Sequence, residues 1–165
     1  MAPETDKIIV RQFHENEWDL LKATRIRALG TDAEMFGKGA VDPAEAPDSF
    51  WQDMVSSKDM AVFGLFVEKQ PIGMSYIVKE GSQAMLRGSW IDPTHRKKGI
   101  TQQFYNVRLD WARQNGVEKL TVFHREGNLA SEKAIKGNGF SHTHTVDMVF
   151  TNGSTGKAVY YARTL

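Results

Sequence analysis

Cysteine is absent from the 165-residue chain, which excludes disulfides, thiolate metal sites and a cysteine nucleophile and fits a reducing compartment. Charge of one sign is also missing: 21 Lys and Arg stand against 20 Asp and Glu, a formal net charge of +1. So weak a field does not hold a nucleic acid or an anionic membrane surface, and any anion site has to be local. No apolar run approaches the roughly 20 residues of a membrane span. The opening MAPETDKIIVRQF has neither a cationic leader nor a long apolar stretch. These absences lead to the expectation of a cytoplasmic protein without nucleic-acid or membrane partners. With no internal repeat, linker or low-complexity tract, residues 1–165 are expected to form a single domain with a real core.

What the chain does have is a hydrophobic period that changes along its length. KIIVRQF (7–13) reads as a strand. Trp18, Leu21, Arg25 and Ala28 then recur at helical spacing, with Asn16 as the expected cap and Gly30 as the expected end. Residues 31–48, rich in Gly, Pro, Ala and acids, read as a long loop before a second short helix near 49–57. From Met60 the period is two, over AVFGLFVE, PIGMSYIVKE and AMLRGSWI. Helical spacing returns with Ile100, Phe104, Val107 and Trp111, closed by Asn115 and Gly116. EKLTVFH is a further strand, Asn128 caps a short helix ended by Gly137 and Gly139, and FSHTHTVDMVF and GKAVYYARTL are two final strands. The fold class is therefore α/β (α+β): about seven strands in a mixed, mainly antiparallel sheet, flanked by about four helices, with a strand, helix, strand crossover in the middle.

The stretch HRKKGITQQF (95–104) sits at that crossover and puts three cations and a glycine at a helix entrance. The first N–H groups of a helix lack intrahelical partners, and the macrodipole adds partial positive charge there. Gly99 allows close approach, and a diphosphate is the natural ligand. The nucleotide P-loop and the dinucleotide G-x-G-x-x-G are both missing. The stretch instead fits R-x-x-G-x-G/A over Arg96, Lys97, Lys98, Gly99, Ile100 and Thr101, with Thr101 departing from the last position.

On this stretch, on NLASEKAIKGNGF (128–140) and on ATRIRALGTDAEMFG (23–37), the chain resembles the GNAT superfamily of acyl-CoA N-acyltransferases over essentially its whole length. The resemblance implies transfer of an acetyl group from acetyl-CoA to a primary amine by direct attack in one ternary complex. It also implies a splayed cofactor cleft after the fourth strand. Residues 96–101 would cradle the pyrophosphate, Trp90 and Ile91 would offer main-chain groups to the pantetheine, and Asn128 and Ser131 would contact it. Ile135, seven after Asn128, stands where many members carry the tyrosine that protonates the departing thiolate.

An acid and a base therefore have to come from elsewhere. His124, ending LTVFH, is the first candidate for either role, since an imidazole can serve as acid or base. Tyr160 or Tyr161, Tyr76, Glu126 and Asp147 are the others, with Tyr160 preferred as a catalytic group and Tyr76 and Glu34 as acceptor contacts. His142 and His144, two apart on one strand, would share a face; without a third ligand no metal is expected. Asp32, Glu34, Asp42, Glu45 and Asp48 crowd the long loop and favour a small cationic amine as acceptor, with a protein N-terminus or lysine as the alternative. A catalytically silent CoA-binding module is the rival reading. The exposed final strands could pair two copies as a homodimer.

Overall fold

In the computed structural model, which describes residues 7–39, 41–96 and 99–165, the period-two runs pair into one seven-stranded sheet of order β1-β2-β3-β4-β5-β7-β6. The strands are β1 (Ile8–Gln12), β2 (Met60–Val67), β3 (Gln70–Glu80), β4 (Gln83–Ile91), β5 (Lys119–Arg125), β6 (Ser141–Val149) and β7 (Thr155–Thr164). The helices are α1 (Trp18–Asp32), α2 (Asp48–Ser56), α3 (Ile100–Gln114) and α4 (Leu129–Gly137). Neighbouring strands are antiparallel except β4 and β5, which α3 joins as a crossover and which therefore run parallel.

Apolar residues on both faces of β2 explain its unbroken run: it is covered on each side. Leu65, Ile77, Leu86, Phe104, Leu120 and Ile135 form the core under α3 and α4. Phe13, Leu21, Trp51, Phe66 and Met74 form a second core under α1 and α2. Both are nearly sealed from water, with Leu65, Ile77 and Leu120 at 0% exposure.

Three local expectations change. Asn16 does not cap α1; a 3-10 turn, Glu15–Glu17, precedes the helix, and His14 and Glu17 make the capping box. Gly30 does not end the helix either, and the extra turn carries Asp32 toward β4. His142 and His144 do not share a face. A bulge between them pairs His142 with Tyr161 and His144 with Tyr160, so two adjacent residues of β7 send the two histidines to opposite sides. Strand β6 is an edge of the sheet and exposed over Ser141–Asp147; this edge would carry the expected pairing of copies.

Glu17 takes a bidentate bond from Arg11, at 2.8 and 2.9 Å, and accepts from the His14 N–H at 2.7 Å. The Arg11 bond above all holds its carboxyl down at about 2. A carboxyl depressed by folding stabilises above its ordinary value near ~4.3, and that contribution is lost as pH falls toward the folded value. Glu17→Gln should therefore flatten the loss of stability between pH 4.5 and about 2, read by urea unfolding at stepped pH.

Candidate active site

The parallel pair holds together for only three residues, Gln83, Ala84 and Met85 against Lys119, Leu120 and Thr121. Beyond them β4 and β5 part. Just past this point β4 carries a bulge: Tyr76 pairs with Arg87 but Met74 already pairs with Trp90, so Gly88 and Ser89 fall out of register. Gly88 has φ +64°, and a Cβ there would overlap the Tyr76 ring. The bulge also changes which way β4 faces. Leu86 belongs to the core under α3, whereas Trp90 turns to α1 and donates its indole N–H to Asp32 Oδ2 at 2.8 Å. From Leu86 to Ile91 the β4 edge facing the gap has no strand partner, so its main-chain groups are open to an extended ligand.

At the tip of β4 the chain makes a 3-10 turn, Pro93–His95, tied by Asp92, which accepts from the Thr94 N–H at 3.0 Å and hydroxyl at 2.7 Å. Those bonds to Thr94, with the Arg27 ion pair, hold the Asp92 carboxyl below the usual range. Gly99 then adopts φ +73°, which L side chains rarely take, and α3 starts at Ile100. A groove of about 510 Å³ opens between this helix entrance and α4, bounded by Ile91, Gly99, Ile100 and Thr101 on one side and Ala130, Lys133, Ala134 and Gly137 on the other.

Four of the residues expected to bind cofactor, Ile91, Gly99, Ile100 and Thr101, thus line one groove. The others stand differently. Arg96 donates to the Ile91 carbonyl at 2.8 Å and pairs with Asp32 at 2.7 Å, so its charge is already balanced. Trp90 is buried toward α1. Asn128 caps α4 by accepting from the Ser131 N–H at 3.2 Å, and its amide points to Met35 Sδ at 3.7 Å. Lys97 and Lys98 lie outside the described residues.

The sequence gives no sign of Lys133 as a groove residue or of the amide pair that ties α3 to α4. Gln102 and Asn138 exchange side-chain hydrogen bonds at 2.9 and 3.2 Å. The only trace of Asn138 is its place in the Gly-Asn-Gly that ends α4, and nothing local to either residue signals the other. Asn138 is 9% exposed and its amide N–H also donates to the Ala134 carbonyl at 2.8 Å, so Gln102→Ala should cost about 1–3 kcal/mol in urea unfolding by leaving the Asn138 side-chain oxygen without a donor.

Candidate acid and base groups lie on both faces of the sheet near the gap's β5 side and its β3–β4 side. On the α4 side His124 is 7% exposed and Tyr161 2%. The Arg125 carbonyl can only accept, so the His124 Nδ1 at 2.7 Å from it carries the proton. With that proton on Nδ1, a bare Nε2 accepts from the Tyr161 hydroxyl at 3.0 Å, and the rings stack with centroids 5.4 Å apart. Burial, with Glu132 of α4 adding to it, raises the Tyr161 pKa and keeps the phenol neutral. Of the two adjacent tyrosines it is Tyr161, not the preferred Tyr160, that meets His124. Tyr160 lies on the opposite face, stacked between Phe123 at 5.1 Å and His144 at 4.7 Å. Ile135 is 1% exposed, inside the core that includes Tyr161.

On the α1 side Tyr76 covers the bulge and pairs across strands with Arg87. Glu34 contributes its carbonyl, which accepts from Arg125 at 2.7 Å; Arg125 also holds Ser154 and the Thr155 carbonyl and so ties the long loop to the β6–β7 hairpin. The expected acidic rim is partly neutralised. Asp32 is taken by Arg96 and Trp90, and Asp48 sits 3.5 Å from Lys22.

A sequence model of the acetyltransferase (GNAT) family matches residues 25–140, while no curated protein matches the chain significantly. Among solved structures, a ribosomal-protein-alanine N-acetyltransferase from Brucella melitensis is 20% identical, with a TM-score of 0.77 and coverage of 95% of this chain and 99% of that one. An acetyltransferase of the GNAT family from Streptococcus pneumoniae, 13% identical, has a TM-score of 0.76 and coverage of 96% and 99%. A ribosomal alpha-N-protein acetyltransferase in complex with coenzyme A, 17% identical, has a TM-score of 0.72 and coverage of 99% and 97%. The sheet that splays after its fourth strand, the helix entrance beside it and a family match over most of the length agree: the chain belongs to the GNAT family of acetyltransferases.

Proposed function

We propose that the protein moves an acetyl group from acetyl-CoA to a primary amine by direct attack, with the donor lying along the gap between β4 and β5 and its diphosphate at the entrance of α3. The observation that carries this reading is the junction of the open β4 edge with the groove at Gly99, Ile100 and Thr101. The residues present suit such a donor. Gly99 leaves open space beside the backbone, the first N–H groups of α3 are free of intrahelical partners, and Lys133 faces the groove from α4. The unpaired β4 edge would bond the amides of the pantetheine as an added strand.

The amine attacks from the α1 side of the sheet. Main-chain N–H groups of the β4 edge polarise the carbonyl under attack and stabilise the charge that develops on its oxygen. Tyr161 gives its hydroxyl proton to the departing thiolate. His124 holds that hydroxyl through Nε2, and a proton leaving the amine through water reaches the imidazole and restores the phenol. The proton count then closes without Ile135.

The acceptor is read as an amine on a protein or peptide in preference to a polyamine. Two ribosomal-protein acetyltransferases among the structural neighbours favour it, and so does the pairing of Asp32 and Asp48 with cations, which weakens the case for a small cationic acceptor. The buried Ile135 is the one feature that favours a silent CoA-binding module. Thiol release from acetyl-CoA, followed over peptides, amino acids, polyamines and aminoglycosides from pH 6 to 9, tests the proposal, and a chain without cysteine adds no thiol background. Release matched by acetylated amine is the expected result. Tight CoA binding with no release from any amine would replace the enzyme reading by the silent module.

A further inference from the structure

The arginines of this protein fall into two groups. Arg11, Arg27, Arg96 and Arg113 have carboxylates within ion-pair distance; among the described residues Arg25, Arg87, Arg108, Arg125 and Arg163 do not, and the last three donate to carbonyl oxygens, which leaves Arg25 and Arg87. Arg25 is the more unusual. It stands on α1 with its guanidinium carbon 4.7 Å from the centre of the Phe36 ring, and its Nη1 is sealed from water with no hydrogen-bond partner among the described residues. Burial lowers its pKa, and Arg87 pushes in the same direction while Tyr76 opposes it. Arg25 follows Leu21 by one turn on α1, and Tyr76 packs against the core that contains Leu21; a buried guanidinium with no carboxylate partner among the described residues is costly to hold unless an anion joins it.

The position of this cluster gives it a use. Tyr76 and Arg87 are cross-strand partners, and the Tyr76 ring lies over Gly88 at the bulge where β4 leaves β5. The cluster therefore borders the α1 side of the gap, the side from which the amine comes. We infer that Arg25, with Arg87 and Tyr76, forms a receiving site for a carboxylate carried by the acceptor close to its amine. The inference rests on the transferase reading and narrows its acceptor to amines that bear an acidic group. The same cations disfavour a third positive charge beside them, so they promote the neutral, nucleophilic form of the bound amine. A polyamine has nothing for this site and is repelled by it.

Matched acceptor pairs test this. Free amino acids against their carboxamides ask whether the carboxylate is the α-carboxylate of a small molecule. Peptides with Asp or Glu at the second position against Asn or Gln ask whether it is a side chain of a polypeptide. The acidic member of at least one pair should have a kcat/KM at least about tenfold higher, about 1.4 kcal/mol in transition-state binding. Arg25→Gln should bring that ratio close to one by raising KM for the acidic acceptor, with the affinity for acetyl-CoA unchanged. Arg25→Lys should restore part of the preference, and Arg87→Gln, at an exposed position, supplies a second variant that does not disturb the core. Equal rates within every pair, faster transfer to spermidine than to any acidic amine, or an equal loss on both members in Arg25→Gln would overturn the inference and leave the transferase reading standing. A turnover-independent readout separates the two: calorimetric titration of the N-acetylated acidic peptides and amino acids into the CoA-bound protein. Binding that Arg25→Gln abolishes, with no amine acetylated, would uphold the carboxylate site and sink the transferase reading. Absence of that binding, with no amine acetylated, would sink both.

Discussion

Tyr161→Phe should lower kcat by about 100-fold and leave KM for acetyl-CoA nearly unchanged, because in the proposed mechanism the lost hydroxyl acts on the leaving group and a positioned acid is worth about 10²-fold or more. Tyr160→Phe, one residue away on the other face, should stay within a few-fold of wild type. The contrast separates the two tyrosines by the ring each one meets: His124 for Tyr161, Phe123 and His144 for Tyr160. Putting a tyrosine at the position usual in the family should not help. Ile135 is sealed in the core, so Ile135→Tyr overpacks it and costs about 1–3 kcal/mol. Full activity in Tyr161→Phe at every pH would remove Tyr161 from the mechanism, and His124 would lose its assigned partner with it.

Gly88→Ala should be the most damaging of the glycine substitutions on the sheet. At φ +64° a side chain costs about 1–2 kcal/mol. The new methyl also overlaps the Tyr76 ring, and displacing a packed ring adds about 1–3 kcal/mol. Gly81 is an internal control: its φ is +63°, yet a methyl group there would meet nothing within 4 Å, so Gly81→Ala carries only the backbone strain. Urea unfolding of the two variants should differ by the cost of moving Tyr76. Equal losses would mean that the bulge yields easily and does not set the divergence of β4 from β5. Where Gly88→Ala remains folded, its KM for the acceptor should rise more than its KM for acetyl-CoA, since Tyr76 lies on the side proposed for the amine.

The element order is legible in the sequence because each segment has a clear period and clear punctuation, such as Asp92 and Pro93 after β4 or Gly139 after α4. The helix entrance at Gly99 is legible for the same reason, as its chemistry is local: a strand, a proline, a glycine and a helix in sequence. Contacts across elements are not. Nothing near Arg96 shows that Asp32, 64 residues away, will take its charge, and nothing near His124 shows that Tyr161, not Tyr160, will face it. The second case turns on register: β7 must pair with β5 so that Val122 meets Tyr161, and a slip of one residue would have exchanged the tyrosines. The bulge that separates His142 from His144 is another such event, since one extra residue inverts every face after it. By its spacing Arg25 is one more residue of a helix face, and only the assembled fold buries it on the Tyr76 side of the sheet with no carboxylate partner among the described residues.

Every step above requires the groove between α3 and α4 to receive acetyl-CoA, and titration calorimetry of acetyl-CoA into the wild-type protein and into Ala134→Trp decides whether it does. Ala134 lines the groove from α4, so an indole there fills the space while the outer turns of the helix stay intact. We expect a micromolar dissociation constant for wild type and no measurable binding for the folded variant. Undiminished binding to Ala134→Trp, or no binding to wild type, would show that the donor does not lie in this groove.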